Sequence, residues 1–579
     1  MVDETGSQAA QGLSSLSSLS NLSNLSIVSG PPLSDEPGLG SLTLPGFLRE
    51  VTQMYRQREA LVWHTADGVR RWTYAQLWER AIEVARALRG CGIGKDARVG
   101  VLMTNRPEWL AAVFGTSLAG GVAVTLSTFS TPPELDYLMR ASAVSVLLFE
   151  RKVPSKDFAA ILAELEPAIA TSRPGALESA KYPFLRRLAV VGEPAPGIEA
   201  WDDFLAFGHK EPREPVEATA AAVLPSDAAV LFFSSGSTSK PKGVLSAHRG
   251  VCIQLWRFRR MYGFSPRDDI RGWTANGFFW SGNFTMVLGS TLASGGALVM
   301  QSTFDAAEAL ELMQAERVNF PFAWPHQWAQ LEGAPNWDRV DLSSVKFADF
   351  KTPIAHHPTV SGEWYEPGHA YGNTETFTIT TGYPANTPPE VHAESFGVAL
   401  PGATLKITDP LTGNVVPRGE AGEISVKGPT LMLGYIGTPL DETLDAEGFF
   451  PTGDGGYLDD AGRLYWQGRL TDIIKTGGAN VSPREVDETL IAHSGVKVAQ
   501  TVGVPHQTLG EVVVSCVVPH DDVILDPEEL LRFLRQRLAS YKVPRHVLFF
   551  CEGEVALTGN AKIKAGALRE LAAKRLAEN

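Results

Sequence analysis

The chain has 579 residues, of which 44% are hydrophobic and 20% are charged, a composition typical of a folded globular protein. This length exceeds what one hydrophobic core usually organises, so we expect several domains or subdomains. The 51 Lys and Arg residues against 65 Asp and Glu residues give a net charge of −14, which argues against nucleic acid as the main partner.

The first 44 residues are rich in Ser, Leu, Gly and Asn and contain the repeat LSSLSSLSNLSNLS at 13–26. Such a segment buries too little apolar surface to offset its ordering entropy, so we expect a disordered tail, with an amphipathic docking segment as the alternative. No Lys or Arg precedes Arg49, which argues against a secretory signal or an organellar transit peptide. The four cysteines are spaced too widely for a metal motif or disulfide framework, which favours a reducing, cytoplasmic location.

From about residue 45 the sequence shows alternating helix and strand signals. Apolar residues at helical spacing predict a helix over 72–93, and a buried strand follows over 97–103. The most membrane-like stretch, 110–126, is short and interrupted by Gly, Ser and Thr, so it predicts a buried helix that runs into a buried strand. We therefore expect no integral membrane segment. Alternation of this kind predicts mostly parallel sheets covered by helices.

The stretch SSGSTSKPKG at 234–243 lies between a predicted strand at 228–236 and a predicted helix at 247–263. Ligands of open α/β sheets gather at such connections. Hydroxyls, glycines and lysines suit an anion, because backbone amides and ammonium groups can approach it closely. Taken alone, an ordinary polar surface loop is the alternative. The residues that we expect to contact a nucleotide here are Ser234, Ser235, Gly236, Ser237, Thr238 and Lys242.

The region 396–470 has a different pattern. Its short strand-like runs ATLKITD, GEISVKG and RLYWQG are separated by Gly- and Pro-rich turns, which predicts a small β subdomain. After Arg469 a mixed α/β pattern returns, with a helix that begins at Asp526 and Pro527. We therefore predict three parts, namely a tail at 1–44, an N-terminal domain at 45–470 and a C-terminal domain at 471–579.

Four further motifs follow the serine- and lysine-rich loop along the chain. They are YGNTE at 371–375, TGD at 452–454, GRLTDIIKTGGANVSPREVDE at 468–488 and TGNAK at 558–562. Together with the loop, they resemble the adenylate-forming superfamily of acyl-CoA synthetases, luciferases and nonribosomal adenylation domains. The resemblance extends from about residue 45 to the C-terminus, and several long motifs in one order make it specific.

The resemblance implies two half-reactions at one site. A small carboxylic acid attacks the α-phosphate of ATP to give acyl-AMP and pyrophosphate, and the thiol of coenzyme A then displaces AMP. Glu375 corresponds to the family's Mg²⁺-associated glutamate, while Thr374 is expected near the α-phosphate and Tyr371 near the adenine. One carboxylate is enough, because Mg²⁺ bound to phosphates takes few protein ligands.

The resemblance also implies the ribose and acyl contacts. Asp454 corresponds to the carboxylate that accepts hydrogen bonds from the ribose hydroxyls, and Arg469 to the second group on the ribose side. Trp280, in NGFFWSGNF, occupies a position that borders the acyl pocket, with an ordinary core aromatic as the alternative. At 347–353 the family's Gly-rich adenine segment is missing, so we assign no adenine contact there.

Lys562 corresponds to the adenylation lysine, which stabilises the charge that grows on the α-phosphate and the bridging oxygen. The family's pattern is P-x-T-x-x-G-K, and this chain has Ala556 and Ala561 in place of Pro and Gly. The spacing from Thr558 to Lys562 is retained, and Lys564 is the alternative.

The second half-reaction requires a different arrangement, because in this family the C-terminal domain rotates between the two steps. The hinge position is Thr471, where Asp or Lys is usual. Lys475 and Gly478 correspond to residues that face the site on the coenzyme A side during thioester formation. Ser239 stands where the family usually has Gly.

The resemblance therefore implies an α/β fold with a large N-terminal adenylation domain of helix-covered, mostly parallel sheets and a small β subdomain. A smaller, mobile α+β C-terminal lid domain completes it. The implied function is that of an acyl-CoA synthetase similar to fatty-acid–CoA ligases, since no carrier-protein domain follows Lys562. The alternatives are a stand-alone enzyme that loads a carrier protein, luciferase-like oxidation, and a catalytically impaired nucleotide-binding relative. The acid and the oligomeric state, a homodimer included, stay open.

Overall fold

The structure is a computed structural model that describes most of residues 24–578. It leaves out residues 155, 235–240, 266, 368, 471, 473, 477–478, 507–508, 522, 539–541, 552–553 and 555–564. For Lys475, Ala479, Asn480 and Ala565 it describes the backbone alone. The chain forms two compact units, of which the larger comprises Ser29–Thr404 and Lys427–Phe450. The smaller unit comprises the described residues within Met1–Val28, Leu405–Val426 and Pro451–Asn579.

Sheet A, in the larger unit, has eight strands. In spatial order they are Glu199–Ala200, Arg187–Val191, Val146–Glu150, Arg98–Leu102, Val122–Thr125, Ala228–Ser234, Lys242–Ala247 and Gly434–Tyr435. The first six are parallel, and the last two are antiparallel to their neighbours. Every residue of Val122–Thr125 is buried, and so is every residue of the preceding helix Pro107–Leu118 except Glu108, which confirms the buried helix and strand predicted over 110–126.

Sheet B, also in the larger unit, has five strands. In spatial order they are Phe320–Phe322, Arg271–Thr274, Ala297–Met300, Glu59–Thr65 and Gly68–Thr73. The first four are parallel, and the fifth forms an antiparallel hairpin with the fourth. Two shorter hairpin-like pairs join Lys152–Val153 to Lys156–Asp157 and Thr381–Gly382 to Val398–Ala399.

Helices cover these sheets. Those of the larger unit are Leu44–Met54, Tyr74–Gly90, Pro107–Leu118, Pro132–Ser142, Phe158–Leu165, Ala168–Thr171, Trp201–Phe207, Arg213–Ala222, His248–Met261, Ser281–Asn283, Ser290–Ala293, Ala306–Ala315, Pro325–Glu332 and Pro389–His392, with a π-helix at Phe284–Gly289. The helix predicted over 72–93 is Tyr74–Gly90, and it begins at a capping box formed by Thr73 and Gln76. Among the described residues, none of the helices combines the length and the apolar character that a membrane crossing requires.

The smaller unit contains most of sheet C and all of sheet D. Sheet C consists of Ile27–Ser29, Thr404–Thr408, Gly422–Lys427, Phe450–Leu458 and Leu464–Arg469, so the three short strands predicted in 396–470 are confirmed. Sheet D consists of Ala479–Val481, Ile474–Thr476, Gly510–Pro519, Val496–His506 and His546–Phe549. The helices Pro483–Ile491, Pro527–Arg535 and Ala565–Glu578 accompany sheet D. Asp526 caps the second of these by accepting a hydrogen bond from the Glu528 backbone amide at 3.2 Å, as the sequence predicts.

The prediction of a disordered tail up to residue 44 is wrong for residues 24–44. Ile27–Ser29 is a strand of sheet C, and Glu36 forms an ion pair with Arg257, 221 residues further along the chain. Local composition could not reveal this fold, because the partners that order the segment lie far away in sequence. The residues before 24 lie outside the described part of the chain.

Candidate active site

The serine- and lysine-rich loop connects two antiparallel strands of sheet A, so the prediction that it connects a strand directly to a helix is wrong. Strand Ala228–Ser234 pairs with strand Lys242–Ala247, with Ser234 opposite Lys242, and the helix begins only at His248. Val244 and Ala247 are buried in this strand, which pairs with a neighbouring strand on each side. Of the predicted nucleotide contacts, Ser235, Gly236, Ser237 and Thr238 lie outside the described residues, as does Ser239.

The YGNTE motif forms a tight loop, which we call the Glu375 loop and define as residues 371–380. Tyr371 is 6% exposed, and its backbone carbonyl accepts a hydrogen bond from the Thr380 amide at 2.7 Å. Thr374 is half-buried and begins the 3-10 helix Thr374–Thr376, which Asn373 caps by accepting from the Thr376 amide at 3.0 Å. A Cβ on Gly372 would lie 2.0 Å from the Thr378 carbonyl oxygen, so only glycine fits there.

The Glu375 loop is also strained. Phe377 and Thr378 have φ values of +50° and +107°, a region that residues with a Cβ rarely adopt. Such backbone persists only where the surrounding structure fixes it, and it is most common at functional sites. The strained backbone thus lies two and three residues after Glu375, where the surrounding structure must fix the loop.

Glu375 is the meeting point of three motifs in the larger unit. Its side chain is buried, with only 9% of the residue exposed, and Oε1 accepts a hydrogen bond from Tyr435 Oη at 2.7 Å. Ser234, the last residue of its strand, donates to the same oxygen from a longer distance of 3.4 Å. Lys242 Nζ lies 4.8 Å above the Tyr435 ring, a cation–π contact. The structure thus brings Ser234, Lys242 and Glu375 together through Tyr435.

Tyr435 is a residue that sequence reasoning missed. It lies in LMLGYIG on the two-residue strand Gly434–Tyr435, which pairs with strand Lys242–Ala247. Nothing in its local pattern distinguishes it from a core tyrosine. The signal that could have found it is the pairing of this short strand beside the lysine that follows the loop.

Asp454 and Arg469 lie in the smaller unit, where the structure brings them together. They are directly opposite each other on the antiparallel strands Phe450–Leu458 and Leu464–Arg469, and Arg469 Nε lies 3.0 Å from Asp454 Oδ1. The Asp454 side chain is 5% exposed and that of Arg469 is 46% exposed. Burial and the charge of Asp454 raise the pKa of Glu423, whose Oε1 accepts from the Gly453 amide. Asp454 is therefore a buried carboxylate whose described charged partner is Arg469.

The aromatic block around Trp280 follows the strand Arg271–Thr274 of sheet B and forms a series of tilted and edge-to-face ring contacts, which we call the ring stack. The Phe279 and Trp280 ring centroids are 5.4 Å apart, and those of Phe129 and Phe279 are 5.9 Å apart. Asn105 holds the block, because it donates to the Asn276 carbonyl at 2.7 Å and accepts from the Phe278 amide at 2.8 Å. Trp280 is half-buried and Phe129 is 69% exposed, so this stack leads from the core to solvent.

The predicted residues of the second half-reaction and the adenylation lysine are not tested by the structure. Thr471, Gly478, Lys562 and the departure at Ala561 lie outside the described residues. Lys475 lies on the strand Ile474–Thr476, opposite Asn480 in the register of sheet D, and its backbone alone is described.

Comparisons with known proteins agree with these motifs. Residues 48–436 match the family described as AMP-binding enzyme, and residues 485–562 match its C-terminal domain. A feruloyl-CoA synthase of Amycolatopsis sp is 32% identical over 511 residues, which is 86% of this chain and 93% of that protein. The putative acyl-CoA synthetase YngI of Bacillus subtilis is 29% identical over 539 residues, covering 91% and 96% of the two chains.

A solved structure agrees with the fold. The crystal structure of ATP-bound MatB from Rhodopseudomonas palustris has a TM-score of 0.70 and 25% identity to this chain, and it covers 92% of this chain and 99% of its own. ATP and coenzyme A are therefore the expected cosubstrates, with the Mg²⁺ that is typical of the family. The chain belongs to the AMP-binding enzyme family, and it is an AMP-forming acid–thiol ligase that activates a carboxylic acid with ATP and transfers the acyl group to coenzyme A.

Proposed function

We propose that Ser234, Lys242, Tyr435 and Glu375 form the phosphate side of the adenylation site. The observation that carries this proposal is the buried Glu375 carboxylate, whose Oε1 is held by Tyr435 at 2.7 Å, while the Lys242 ammonium group lies 4.8 Å from the ring centroid of the same tyrosine. Lys242 faces the pyrophosphate that leaves, and Thr374 contacts the α-phosphate. A preorganised arrangement of this kind stabilises developing charge without reorganisation during the reaction.

The residues present fit a bound Mg²⁺ ion. The described residues contain no group of three or more His, Cys, Asp or Glu side chains suited to a metal ion. The Glu375 carboxylate stands by itself, with Oε1 fixed by Tyr435 and Ser234. Mg²⁺ bound to substrate phosphates prefers this donor set, since one carboxylate completes a shell of phosphate and water oxygens. When bound, the ion neutralises phosphate charge.

We propose that Tyr371 lies beside the adenine and that Asp454 and Arg469 bind the ribose. Lys562 supplies the positive charge at the α-phosphate during adenylation. In the second step the domain at 471–579 rotates about Thr471, and Lys475 and Gly478 then face the coenzyme A thiol. The division of the chain near residue 470 and this rotation are parts of the same proposal.

The adenylation lysine gives the direct test of this site. Lys562→Ala should lower acid-dependent ATP–pyrophosphate exchange at least about 100-fold, yet leave thioester formation from supplied acyl-AMP and coenzyme A largely intact. Lys564→Ala is the matched control and should retain both activities. An equal loss of both half-reactions in Lys562→Ala would contradict the role assigned to it.

For the acid, we propose an aryl or other ring-bearing carboxylic acid. The support is the ring stack of Phe129, Phe279 and Trp280, because aromatic rings pack favourably against one another. The 32% identical relative named feruloyl-CoA synthase agrees with this substrate class.

A panel of benzoate, 4-hydroxycinnamate, cyclohexanecarboxylate and octanoate in the exchange assay tests the substrate class. We expect the highest kcat/KM with a ring-bearing acid, and Trp280→Ala should lower that value about 10-fold. Phe184→Ala removes an aromatic ring that is 58% exposed outside the ring stack, and it should have no effect. A preference for octanoate that survives Trp280→Ala would contradict the proposed class.

We further propose a cytoplasmic enzyme whose partners are small molecules. The four cysteines are free thiols, and the net charge of −14 disfavours a polyanionic partner. Fractionation of cells that express the chain tests the location.

A further inference from the structure

The helix His248–Met261 contacts two segments that sequence reasoning treated as unrelated. One is residues 33–44, which we call the strap, and the other is the Glu375 loop. The helix follows directly after the strand Lys242–Ala247 that bears Lys242. All three segments belong to the larger unit.

The strap is fastened along this helix by side chains of the helix itself. Arg259 donates to the Gly38 carbonyl at 3.1 Å, Arg260 donates to the Pro37 carbonyl, and Trp256 Nε1 donates to the Ser41 carbonyl at 3.1 Å. A Cβ on Gly40 would lie 2.5 Å from the Trp256 ring, so the strap packs directly on the helix.

The strongest attachment is the ion pair between Glu36 and Arg257. Arg257 donates to both carboxylate oxygens, at 2.8 and 2.6 Å, and their side chains are 9% and 3% exposed. A bidentate pair of this kind is directional as well as attractive. Arg257 donates further to the Pro401 carbonyl at 3.0 Å and to Gln254 Oε1 at 3.5 Å.

Gln254 carries this contact to the Glu375 loop. It is fully buried, and its Nε2 donates to the Ile379 carbonyl at 2.7 Å and to the Thr376 carbonyl at 3.4 Å. These two carbonyls flank the strained residues Phe377 and Thr378. A side-chain amide can present either end to a partner, and donation from Arg257 to Oε1 selects the orientation in which Nε2 faces the loop.

We propose that Gln254 and Arg257 are positioning residues for Glu375, and that Glu36 of the strap completes this connection. The strap is thereby part of the catalytic machinery, although it contacts no reacting atom. The chain of contacts runs from Glu36 through Arg257 and Gln254 to the loop backbone that places Glu375. This inference rests on the role of Glu375 proposed above.

The test compares Glu36→Gln with Asp35→Asn in the full-length enzyme. Both changes neutralise one acid of the strap, but Asp35 is exposed and lies outside the connection. We expect faster hydrogen–deuterium exchange in peptides that cover 371–380 in Glu36→Gln only. We also expect kcat for acid-dependent ATP–pyrophosphate exchange to fall about 10-fold, with the KM for the acid unchanged within about 2-fold.

A second variant keeps the test decisive if Glu36→Gln folds poorly. Gln254→Met retains the volume and removes both donor contacts to the loop, so it should give the same two changes while the strap peptides at 33–44 stay protected. Unchanged exchange at 371–380 in Gln254→Met would overturn the proposal. The proposal would also be overturned if Glu36→Gln raised hydrogen–deuterium exchange in the strap peptides at 33–44 and left exchange at 371–380 unchanged. Loop exchange is independent of the role of Glu375, which Glu375→Gln tests separately by loss of pyrophosphate exchange.

Discussion

The helix His248–Met261 in the larger unit and the helix Pro483–Ile491 in the smaller unit each carry an ionisable side chain whose pKa is shifted by burial. Burial lowers the pKa of His248 to about 4, and its Nδ1 accepts a hydrogen bond from the Leu44 backbone amide at 3.1 Å. Burial raises the pKa of Asp487 to about 8, although hydrogen bonds from Thr501 oppose the shift. The charged neighbour of His248 is Asp227, and that of Asp487 is the like-charged Glu488.

These shifts predict that His248 and Asp487 contribute to stability with opposite dependence on acid. A folded-state pKa below the unfolded value means that the unfolded chain binds more protons, so acid destabilises the region around His248. A carboxyl with a raised pKa binds its proton in the folded state first, so acid stabilises the region around Asp487. Lower pH should thus weaken the contact between His248 and Leu44 of the strap, while it stabilises the smaller unit through Asp487.

The largest effect that we expect is the loss of stability near His248 in acid. As the pH falls from 6.5 to 4, the larger unit should lose about 3 kcal/mol of unfolding free energy, because only the unfolded chain gains a proton in this window. His248→Asn keeps an acceptor for Leu44 and does not titrate. Its calorimetric unfolding temperature should depend less on pH over this range. If the unfolding temperature of His248→Asn depended on pH as strongly as that of the unmodified protein, the lowered pKa assigned to His248 would be contradicted.

We expect the Asp487 carboxyl to have a smaller effect on the unfolding free energy, with the opposite dependence on pH. Asp487→Asn should stabilise the smaller unit by about 2 kcal/mol at pH 7, a value reduced for partial solvent access of the side chain. The gain should shrink as the pH falls and disappear near pH 3, below the ordinary aspartate pKa of 3.8, where the carboxyl is protonated in both states. Calorimetry at the two pH values measures this gain in stability. Glu488→Gln is the control, because it neutralises an exposed acid on the same helix. An equal gain in stability at both pH values would contradict the raised pKa assigned to Asp487.

The third prediction concerns the fixed carboxylate of the larger unit. Tyr435→Phe removes the hydroxyl that donates to Glu375 and retains the ring beneath Lys242, so adenylation should slow about 10-fold, the value of one hydrogen bond to a charged group. Tyr182→Phe is the matched control, because Tyr182 donates to the Asp136 carboxylate at the same 2.7 Å outside the site. Equal slowing in both variants would show a general stability effect and contradict the role of Tyr435.

Local motifs were sufficient to single out several of the residues that we propose for the site. YGNTE points to Thr374 and Glu375, TGD points to Asp454, and the start of GRLTDIIKTGG points to Arg469, because each is a short motif with its own sequence signature. The helix predicted over 72–93 followed from apolar spacing in the same way, and the structure adds the Thr73–Gln76 capping box at its start.

The remaining features depend on partners that are distant in sequence. Tyr435 reaches Glu375 across 60 residues, and Glu36 reaches Arg257 across 221, so neither contact leaves a periodic trace. The strand Lys242–Ala247 was missed because the loop motif was extended to residue 243 and the helix was predicted from residue 247, so residues 244–246 were assigned to no element. In each case the sheet or the ion pair supplied the stabilisation that local propensity lacked.

The smallest effect on stability is expected for the exposed ion pair of the smaller unit, in comparison with the buried ion pair of the larger unit. Because the Arg469 side chain is 46% exposed, water screens its attraction to Asp454, and Arg469→Ala should lower the unfolding free energy of the smaller unit by at most about 1 kcal/mol. The Glu36–Arg257 pair is 9% and 3% exposed, and breaking it should cost about 3 kcal/mol or more, since a charge is left buried. Arg469→Ala should instead raise the KM for ATP several-fold in the exchange assay. A large loss of stability with an unchanged KM for ATP would assign Arg469 to the fold and remove it from the ribose site.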